Sequence, residues 1–324
     1  MERLTAEPVP HANPVYDGYF ADPFVWRHAG VYYAVGTGAP GAWRTNTTNR
    51  AIPLLRSYDL AHWEPRGRVL IRPEPSLGPD FWAPEVAMEN DRFFLYYSVG
   101  HDDRGHQLRV AIGEHPEGPY EDVGVPLVEP STCSFAIDPH PFRDDDGQWY
   151  LFYARDFLDT APRQRAGTAL VVDRLIDMKR LAGEPRTVLR ACFDWQRFQA
   201  GRSMYGAIYD WHTLEGPCVR KHDGRYYCFY SGGRWESETY GVDYGIAEHV
   251  LGPYHHPETC EQPRVLRSVP GRVLGPGHNS IVIGPDGETE YFVYHAWGPD
   301  MQARRMYIDR LRWTPNGPRC EGPR

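Results

Sequence analysis

Apolar and polar residues alternate along most of the chain, in short runs that end at Gly, Asp, Asn or Pro. Alternation with a period of two, in runs rich in Val, Tyr, Phe and Trp, predicts β-strands, and the residues between the runs predict tight turns. Helical periodicity is weak, because the best helical candidate, 169–180, is equally compatible with a strand followed by a loop. The pattern therefore predicts an all-β protein.

Five segments of the chain repeat one plan, in which an apolar strand, a Gly, Asp or Asn turn and an aromatic strand follow one another. Each segment predicts a β-hairpin. One titratable residue near the start of each segment serves as its marker, and the markers are Asp22, Glu85, Asp138, Glu215 and His278. They lie 63, 53, 77 and 63 residues apart, which leaves room for a four-stranded sheet and its loops in each repeat.

Radial packing of such sheets predicts a five-bladed β-propeller, formed as a single domain by residues 1–324. Each marker precedes an inner strand, so we expect the five side chains to meet near one end of the central channel. A β-sandwich with unrelated hairpins is the alternative. We expect the segment around Asn13-Pro14-Val15 to close the ring against the last blade.

Composition and charge exclude several classes of partner. The formal net charge of -8 argues against binding to nucleic acid or to an anionic membrane, because both need concentrated positive charge. No apolar stretch approaches the length of a membrane span, and the N-terminal residues lack the apolar run of a secretory signal, which predicts a cytoplasmic protein. The six cysteines are scattered without a CxxC pair and predict free thiols.

Four of the markers are carboxylic acids, and three of them, Asp22, Asp138 and Glu215, are candidates for acid–base chemistry at one topological position. A single Asp-Pro pair is usually only a turn, but three acids at equivalent places indicate a shared site. One protonated and one ionised carboxyl group at the mouth of a channel meet the needs of glycoside hydrolysis, which takes a general acid and a general base. From the residues alone, the three acids have no assigned roles.

The sequence resembles glycoside hydrolase family 43, a family of five-bladed propellers that includes arabinofuranosidases, arabinanases and xylosidases. The resemblance spans nearly the whole chain and rests on five motifs in the family's order, which are Gly18-Tyr19-Phe20-Ala21-Asp22-Pro23-Phe24, Trp82-Ala83-Pro84-Glu85, Ile137-Asp138-Pro139, Glu215-Gly216-Pro217 and Gly277-His278-Asn279-Ser280. It implies that Asp22 is the general base, that Glu215 is the general acid, and that Asp138 orients the acid and tunes its pKa.

Further candidates for substrate binding come from these motifs and from the last repeat. Trp82 and Phe24 are candidates for stacking on a sugar ring, with ordinary sheet packing as the alternative. Glu85 and Ile137 belong to the matching motifs and are expected at the site. Arg304 lies where similar xylosidases place an arginine in the site, although Arg305 competes for that assignment.

His278 has two interpretations. The resemblance implies a histidine that touches the sugar or holds a Ca²⁺ or Na⁺ ion in the channel through water. The alternative is a core histidine with hydrogen-bond partners, since hard cations prefer oxygen ligands. No cofactor is expected to be required for the chemistry.

The leading hypothesis is an inverting, exo-acting α-L-arabinofuranosidase that acts on oligosaccharides. The polar inserts 37–50 and 191–209 favour a pocket over an open cleft, because they are long enough to rise around the channel mouth. A β-D-xylosidase, or a related pentosidase or galactofuranosidase, is the second hypothesis. A non-catalytic sugar-binding propeller is the alternative from another class.

Overall fold

The computed structural model describes residues 9–42, 48–160, 164–258 and 260–323. Within these ranges the fold is all-β and contains no α-helix, which confirms the predicted class. None of the described residues form a helix that could span a membrane. The segment 169–180 begins as a strand, so the strand interpretation of that segment was correct.

Twenty strands form four sheets, two of four strands in the first part of the chain, then one of eight and a last one of four. The first sheet contains β1 (Ala21–His28), β2 (Val31–Thr37), β3 (Arg50–Ser57) and β4 (Glu64–Ile71). The second contains β5 (Asp80–Glu89), β6 (Arg92–His101), β7 (Arg104–Gly113) and β8 (Glu121–Asp122). The eight-stranded sheet contains β9 (Ala136–Arg143), β10 (Trp149–Phe157), β11 (Gly167–Leu175), β12 (Arg186–Leu189), β13 (Arg197–Met204), β14 (Ala207–His222), β15 (Arg225–Gly232) and β16 (Gly241–Ala247). The last contains β17 (Leu274–Ile283), β18 (Glu290–Trp297), β19 (Arg304–Thr314) and β20 (Gly317–Cys320).

All five predicted hairpins form, as β1–β2, β5–β6, β9–β10, β14–β15 and β17–β18. Three of them turn through two residues that both have positive φ, at Ala29-Gly30, Asn90-Asp91 and Asp223-Gly224. Such turns match the right-handed twist of the strands that they join. The Gly, Asp and Asn signals in the sequence therefore mark real hairpin turns.

The eight-stranded sheet consists of two antiparallel groups that share a short seam. Strands β9–β12 form one group and β13–β16 the other, and they meet where β11 pairs in parallel with β14 at Gly167 and His212. A side chain at residue 167 would collide with the carbonyl oxygen of His212, because a Cβ atom there would lie only 1.9 Å from it. Glycine is therefore required for this close approach.

Five hydrophobic clusters fill the spaces between consecutive strand groups. One of them lies between the two halves of the eight-stranded sheet, around Leu170 and Tyr230. Another joins the last sheet to the first, around Val293 and Tyr32. The strands that begin the five hairpins also contact one another in cyclic order, β1 with β5, β5 with β9, β9 with β14, β14 with β17, and β17 with β1.

The segment around Asn13-Pro14-Val15 packs against the last sheet, as predicted. The backbone N–H of Val15 donates to the carbonyl of Met306 at 2.9 Å. The Asn13 amide bonds both the N–H and the carbonyl oxygen of Ile308 in β19, each at 2.9 Å. The N-terminal segment thereby ties the first sheet to the last.

Each of β1, β5, β9, β14 and β17 contains a β-bulge at the same place, which the register shifts of the five hairpins mark. The residue at the bulge has positive φ in every case, and these residues are Asp22, Ala83, Asp138, Gly216 and His278. Bulges bend a strand and re-aim its side chains, and they are frequent beside active sites. This shared backbone feature is the true repeat position.

Two of the predicted markers were therefore misaligned. Glu85 lies two residues after the bulge of β5, and Glu215 lies one residue before the bulge of β14. At the bulge of β14, a Cβ atom on Gly216 would lie 3.1 Å from the imidazole of His278. The ring of His278 leaves little space there, so the carboxylate on β14 comes from the preceding residue.

Candidate active site

A cavity of about 980 Å³ opens where the bulged strands meet. Its lining includes the three predicted acids Asp22, Asp138 and Glu215, together with His278 and Arg304. The acids come from β1, β9 and β14, and the two basic residues come from β17 and β19. The structure therefore brings together, from five strands, residues that lie up to 282 positions apart.

Asp22 lies among basic groups and is almost completely buried. Its Oδ1 atom is 3.3 Å from Nη1 of Arg304 and 3.4 Å from Nδ1 of His278, and its Oδ2 accepts a hydrogen bond of 2.5 Å from the Thr37 hydroxyl. Burial by itself raises the pKa of Asp22, but the Arg304 guanidinium and then the His278 imidazole outweigh it, so the pKa lies well below its usual value. The Asp22 carboxyl group is therefore ionised.

The surroundings of Glu215 have the opposite effect. Burial raises the pKa of Glu215 to about 7, and the nearby charge of Asp22 adds to the increase. The hydroxyl of Tyr240 donates a hydrogen bond of 2.6 Å to Oε1 of Glu215, which works against the increase but does not cancel it. Below about pH 7 this carboxyl group holds a proton that it can donate.

Asp138 connects the two other acids. Its Oδ2 atom accepts a hydrogen bond of 2.8 Å from the backbone N–H of Gly216, the residue that follows Glu215. Burial raises the pKa of Asp138 well above its usual value, and the charges of Glu215 and then Asp22 raise it further. Asp138 thus fixes the backbone next to Glu215, through the N–H of Gly216.

The other predicted binding residues divide into two groups. Trp82, Ile137, His278 and Arg304 line the cavity. The ring of Trp82 stacks on His106 with centroids 3.8 Å apart, so one of its faces is already covered.

Phe24 and Glu85 are not among the described residues that line the cavity. Phe24 packs beside Trp26 in the hydrophobic cluster between the first two sheets. Glu85 is buried and its Oε2 lies 2.7 Å from Nδ1 of His140, whose Nε2 accepts the backbone N–H of Val219. Both residues come two positions after the bulge of their strand, and their side chains pack in the protein interior.

Several residues of the site carried too little signal in the sequence to be assigned a role. Tyr240 holds Glu215, and its ring stacks on His295 with centroids 5.8 Å apart. Tyr19 accepts a hydrogen bond of 3.0 Å from Nε of Arg304, which also lies over the ring of Trp235. Thr37 pairs with Ala21 across β1 and β2, which brings it beside Asp22, the next residue of β1. The register of this hairpin is therefore the signal that could have identified Thr37.

Both predicted inserts contribute to the walls of the cavity. In the first insert, Thr37 and residues 38–42 line it, whereas residues 43–47 are outside the described ranges. The second insert forms β13, from which Phe198, Gln199, Arg202 and Ser203 line it. Arg202 bridges to Asp103 of the second sheet at 2.8 Å. The walls therefore rise on two sides of the acids.

The described residues do not form a direct ligand set for a channel ion. No group of three or more His, Cys, Asp or Glu side chains in the described ranges is arranged so that it could hold a metal ion. His278 directs Nδ1 toward Asp22, and its pKa is lowered by burial. We therefore derive no chemical step through a metal ion at this residue.

An ionised and a protonated carboxyl group in one cavity are the pair of groups that acid–base hydrolysis of a glycoside needs. Residues 11–318 match the model of glycosyl hydrolases family 43, and the chain belongs to this family.

Similar proteins support the family assignment. A β-D-galactofuranosidase of Aspergillus niger is 31% identical over 87% of this chain and 75% of its own length. An extracellular exo-α-(1→5)-L-arabinofuranosidase of Streptomyces chartreusis is 25% identical over 89% of this chain and 83% of its own. The crystal structure of a thermostable family-43 glycoside hydrolase aligns with a TM-score of 0.80 and 30% identity, over 97% of this chain and 96% of the other.

Proposed function

We propose that the protein is an inverting, exo-acting glycoside hydrolase that releases terminal α-L-arabinofuranosyl residues from oligosaccharides. The observation that carries the proposal is the contrast between two carboxyl groups of one cavity, since Asp22 is ionised beside Arg304 while the pKa of Glu215 is raised to about 7. Opposite protonation states at one pH are what a single displacement at a glycosidic carbon needs.

In the proposed mechanism, Glu215 donates its proton to the glycosidic oxygen as the bond to the anomeric carbon breaks. Asp22 takes a proton from the water that attacks the opposite face of the same carbon. The products are a sugar of inverted configuration and an alcohol, and the net result is the addition of one water molecule. Asp138 positions Glu215 through the N–H of Gly216.

We also propose that the fold is a five-bladed β-propeller, with the eight-stranded sheet counted as two blades. Five hydrophobic clusters between consecutive strand groups and the cyclic contacts of the five bulged strands support this arrangement. A β-sandwich would bury one core between two facing sheets. In a propeller the five bulges surround one axis, which explains why a single cavity collects acids from β1, β9 and β14.

A pocket that accepts the end of a chain is supported by the walls of the cavity. Residues 38–42 form one side, β13 forms another, and the Arg202–Asp103 ion pair ties β13 to the second sheet. A polysaccharide that ran through the site would need an open groove. The walls therefore favour exo-action.

A β-D-galactofuranosidase is the second candidate, because the relative with 31% identity carries that name. Both candidate sugars are furanosides, and galactofuranose adds one exocyclic carbon to the arabinofuranose frame. A volume of about 980 Å³ admits either sugar together with part of its aglycone, since ligand pockets commonly measure about 300–1,000 Å³.

The test is hydrolysis of 4-nitrophenyl α-L-arabinofuranoside, β-D-galactofuranoside and β-D-xyloside, with NMR detection of the first anomer released. We expect arabinofuranoside to be the best substrate and the product to be inverted. A preference for galactofuranoside or xyloside would change the proposed substrate sugar and leave the proposed mechanism unchanged. Retention of configuration would refute the mechanism, and no turnover of any glycoside or oligosaccharide would favour a sugar-binding protein.

Site variants separate catalysis from folding. Asp22→Asn and Glu215→Gln should each lower kcat on an oligosaccharide by about 10²–10⁴-fold. Asp80→Asn is the matched control, because Asp80 also lines the cavity but accepts a hydrogen bond from the backbone N–H of Asp102 and contacts none of the three acids. An Asp22→Asn variant with near-normal turnover would remove Asp22 from the mechanism.

A further inference from the structure

Among the described residues, five arginines line the cavity, and three of them have carboxylate partners. Arg304 pairs with Asp22, Arg202 with Asp103, and Arg234 with Glu236. Arg68 and Arg72 differ, because neither guanidinium forms an ion pair with a carboxylate in the part of the chain that the structure describes.

Both arginines line the cavity from the β4 edge of the first sheet. Arg68 is in β4 and Arg72 follows the end of that strand. Burial, and then the charge of Arg68, lower the pKa of Arg72, while burial lowers the pKa of Arg68. Two positive charges that act on each other and are partly removed from water repel each other, so an anion bound by both would stabilise them.

Neighbouring residues hold both side chains at the wall. The guanidinium of Arg72 lies over the ring of Phe81, 5.3 Å from its centroid, and Phe81 also lines the cavity. Nη1 of Arg68 lies against Gly38, where a Cβ atom would be 3.7 Å from it. Stacking on one face leaves the edge of a guanidinium available for hydrogen bonds, which is the geometry that carboxylates and phosphates use.

The sequence around this wall adds no compensating negative charge. Residues 38–58 contain no Asp or Glu, and neither do residues 65–73. Asp80 is the acid of the cavity lining that comes next along the chain, and its carboxylate accepts the backbone N–H of Asp102. The segments that carry Arg68 and Arg72 are therefore locally positive in a protein whose net charge is -8.

The two arginines and Asp22 come from opposite edges of the first sheet. The backbones of Asp22 in β1 and Arg68 in β4 lie three strand spacings apart, which corresponds to about 14 Å across the sheet. A group held by Arg68 and Arg72 would therefore belong to a sugar residue beyond the one that is released.

We propose that Arg68 and Arg72 form an anion subsite, and that the substrate is an oligosaccharide whose non-cleaved part carries an oxyanion. The anion is the carboxylate of a uronic acid or a phosphate ester on the sugar, and both offer oxygens to paired guanidinium groups. This inference rests on the proposed function, because it assumes that the cavity binds a glycoside.

The kinetic test compares a neutral oligosaccharide with the same oligosaccharide bearing one uronic acid. We expect wild-type kcat/KM to be at least about tenfold higher for the acidic substrate, since a charge-assisted pair is much stronger than a neutral hydrogen bond. The Arg68→Ala/Arg72→Ala variant should lose this preference but keep its kcat/KM on a neutral nitrophenyl glycoside. Arg68→Lys/Arg72→Lys should keep part of the preference, because it retains the charge without the planar fork.

Arg66→Ala is the matched control. Arg66 is also in β4, but it pairs with Glu117 and does not line the cavity. An equal effect of this variant, or equal wild-type rates on both substrates, would overturn the proposal.

Calorimetric binding of glucuronic acid and of inorganic phosphate to the wild-type protein tests the subsite independently of turnover. Binding that is lost in the double alanine variant supports the subsite even if no glycoside is hydrolysed, and the ligand that binds more tightly identifies the source of the oxyanion. If neither ligand binds while neutral glycosides are hydrolysed, the anion subsite is refuted and the proposed function stands.

Discussion

Tyr240→Phe tests how the protein sets the protonation of Glu215. The variant removes one hydroxyl that donates to Oε1 of Glu215 at 2.6 Å and keeps the ring that stacks on His295. A hydrogen bond to a charged group contributes about 1.5–3 kcal/mol. At 1.36 kcal/mol per pKa unit, this corresponds to about 1–2 units.

The direction of the pKa shift depends on which protonation state of Glu215 the hydrogen bond stabilises. The hydroxyl of Tyr240 favours the ionised carboxylate, so its removal favours the protonated form and raises the pKa of Glu215 above its value of about 7. The general acid must be protonated to act, and wild-type kcat/KM should therefore fall as the pH rises through about 7. In Tyr240→Phe this basic limb should move to about pH 8–9.

The assay is a pH profile of kcat/KM on an oligosaccharide, whose poor leaving group needs the acid. Tyr254→Phe is the control, because the hydroxyl of Tyr254 is buried but donates to the carbonyl of Val250, away from the cavity. A basic limb that stays in place or moves to lower pH in Tyr240→Phe would refute the assignment of Glu215 as the acid controlled by this bond.

Three further predictions concern the backbone beside Glu215, a buried ion pair and the cavity wall. Gly216→Ala should lower the free energy of unfolding by about 1–2 kcal/mol in urea and also reduce kcat, because φ is +56° and the new methyl group would press on a neighbouring imidazole. Arg264→Met should destabilise the fold by about 3–5 kcal/mol in the same assay, since it leaves the buried carboxylate of Asp243 without its cation. Trp82→Ala should raise KM several-fold, whereas Phe24→Leu should leave KM unchanged and lower only Tm, because Trp82 lines the cavity and Phe24 packs between sheets.

The strand content and the hairpins were predictable because they depend on local chemistry. Turn pairs such as Asn90-Asp91 and Asp223-Gly224 need positive φ, and the sequence supplies residues that adopt it. The position of Asp22 and Asp138 at one cavity was predictable for the same reason, since each precedes a proline at a repeated position. Local patterns of this kind can be recognised from a single sequence.

Features that depend on distant contacts were not predictable in the same way. The bulge of β14 falls at Gly216 rather than Glu215. A side chain at the bulge would press on the ring of His278, which lies 62 residues further along the chain. Tyr240 reaches Glu215 across 25 residues. Nothing near it in the sequence distinguishes it from the other 20 tyrosines.

The five bulges also have a consequence for protein engineering. Ala83 adopts the same left-handed backbone as Asp22, Asp138 and His278, but its methyl group carries no chemistry. The hydrogen bond that fixes its backbone, from its N–H to the Thr37 hydroxyl, does not involve the side chain. Since aspartate and histidine already adopt this conformation at the equivalent bulges, replacing Ala83 by either residue adds no backbone strain of a new kind, and the space around its buried methyl group sets the size of the side chain that fits.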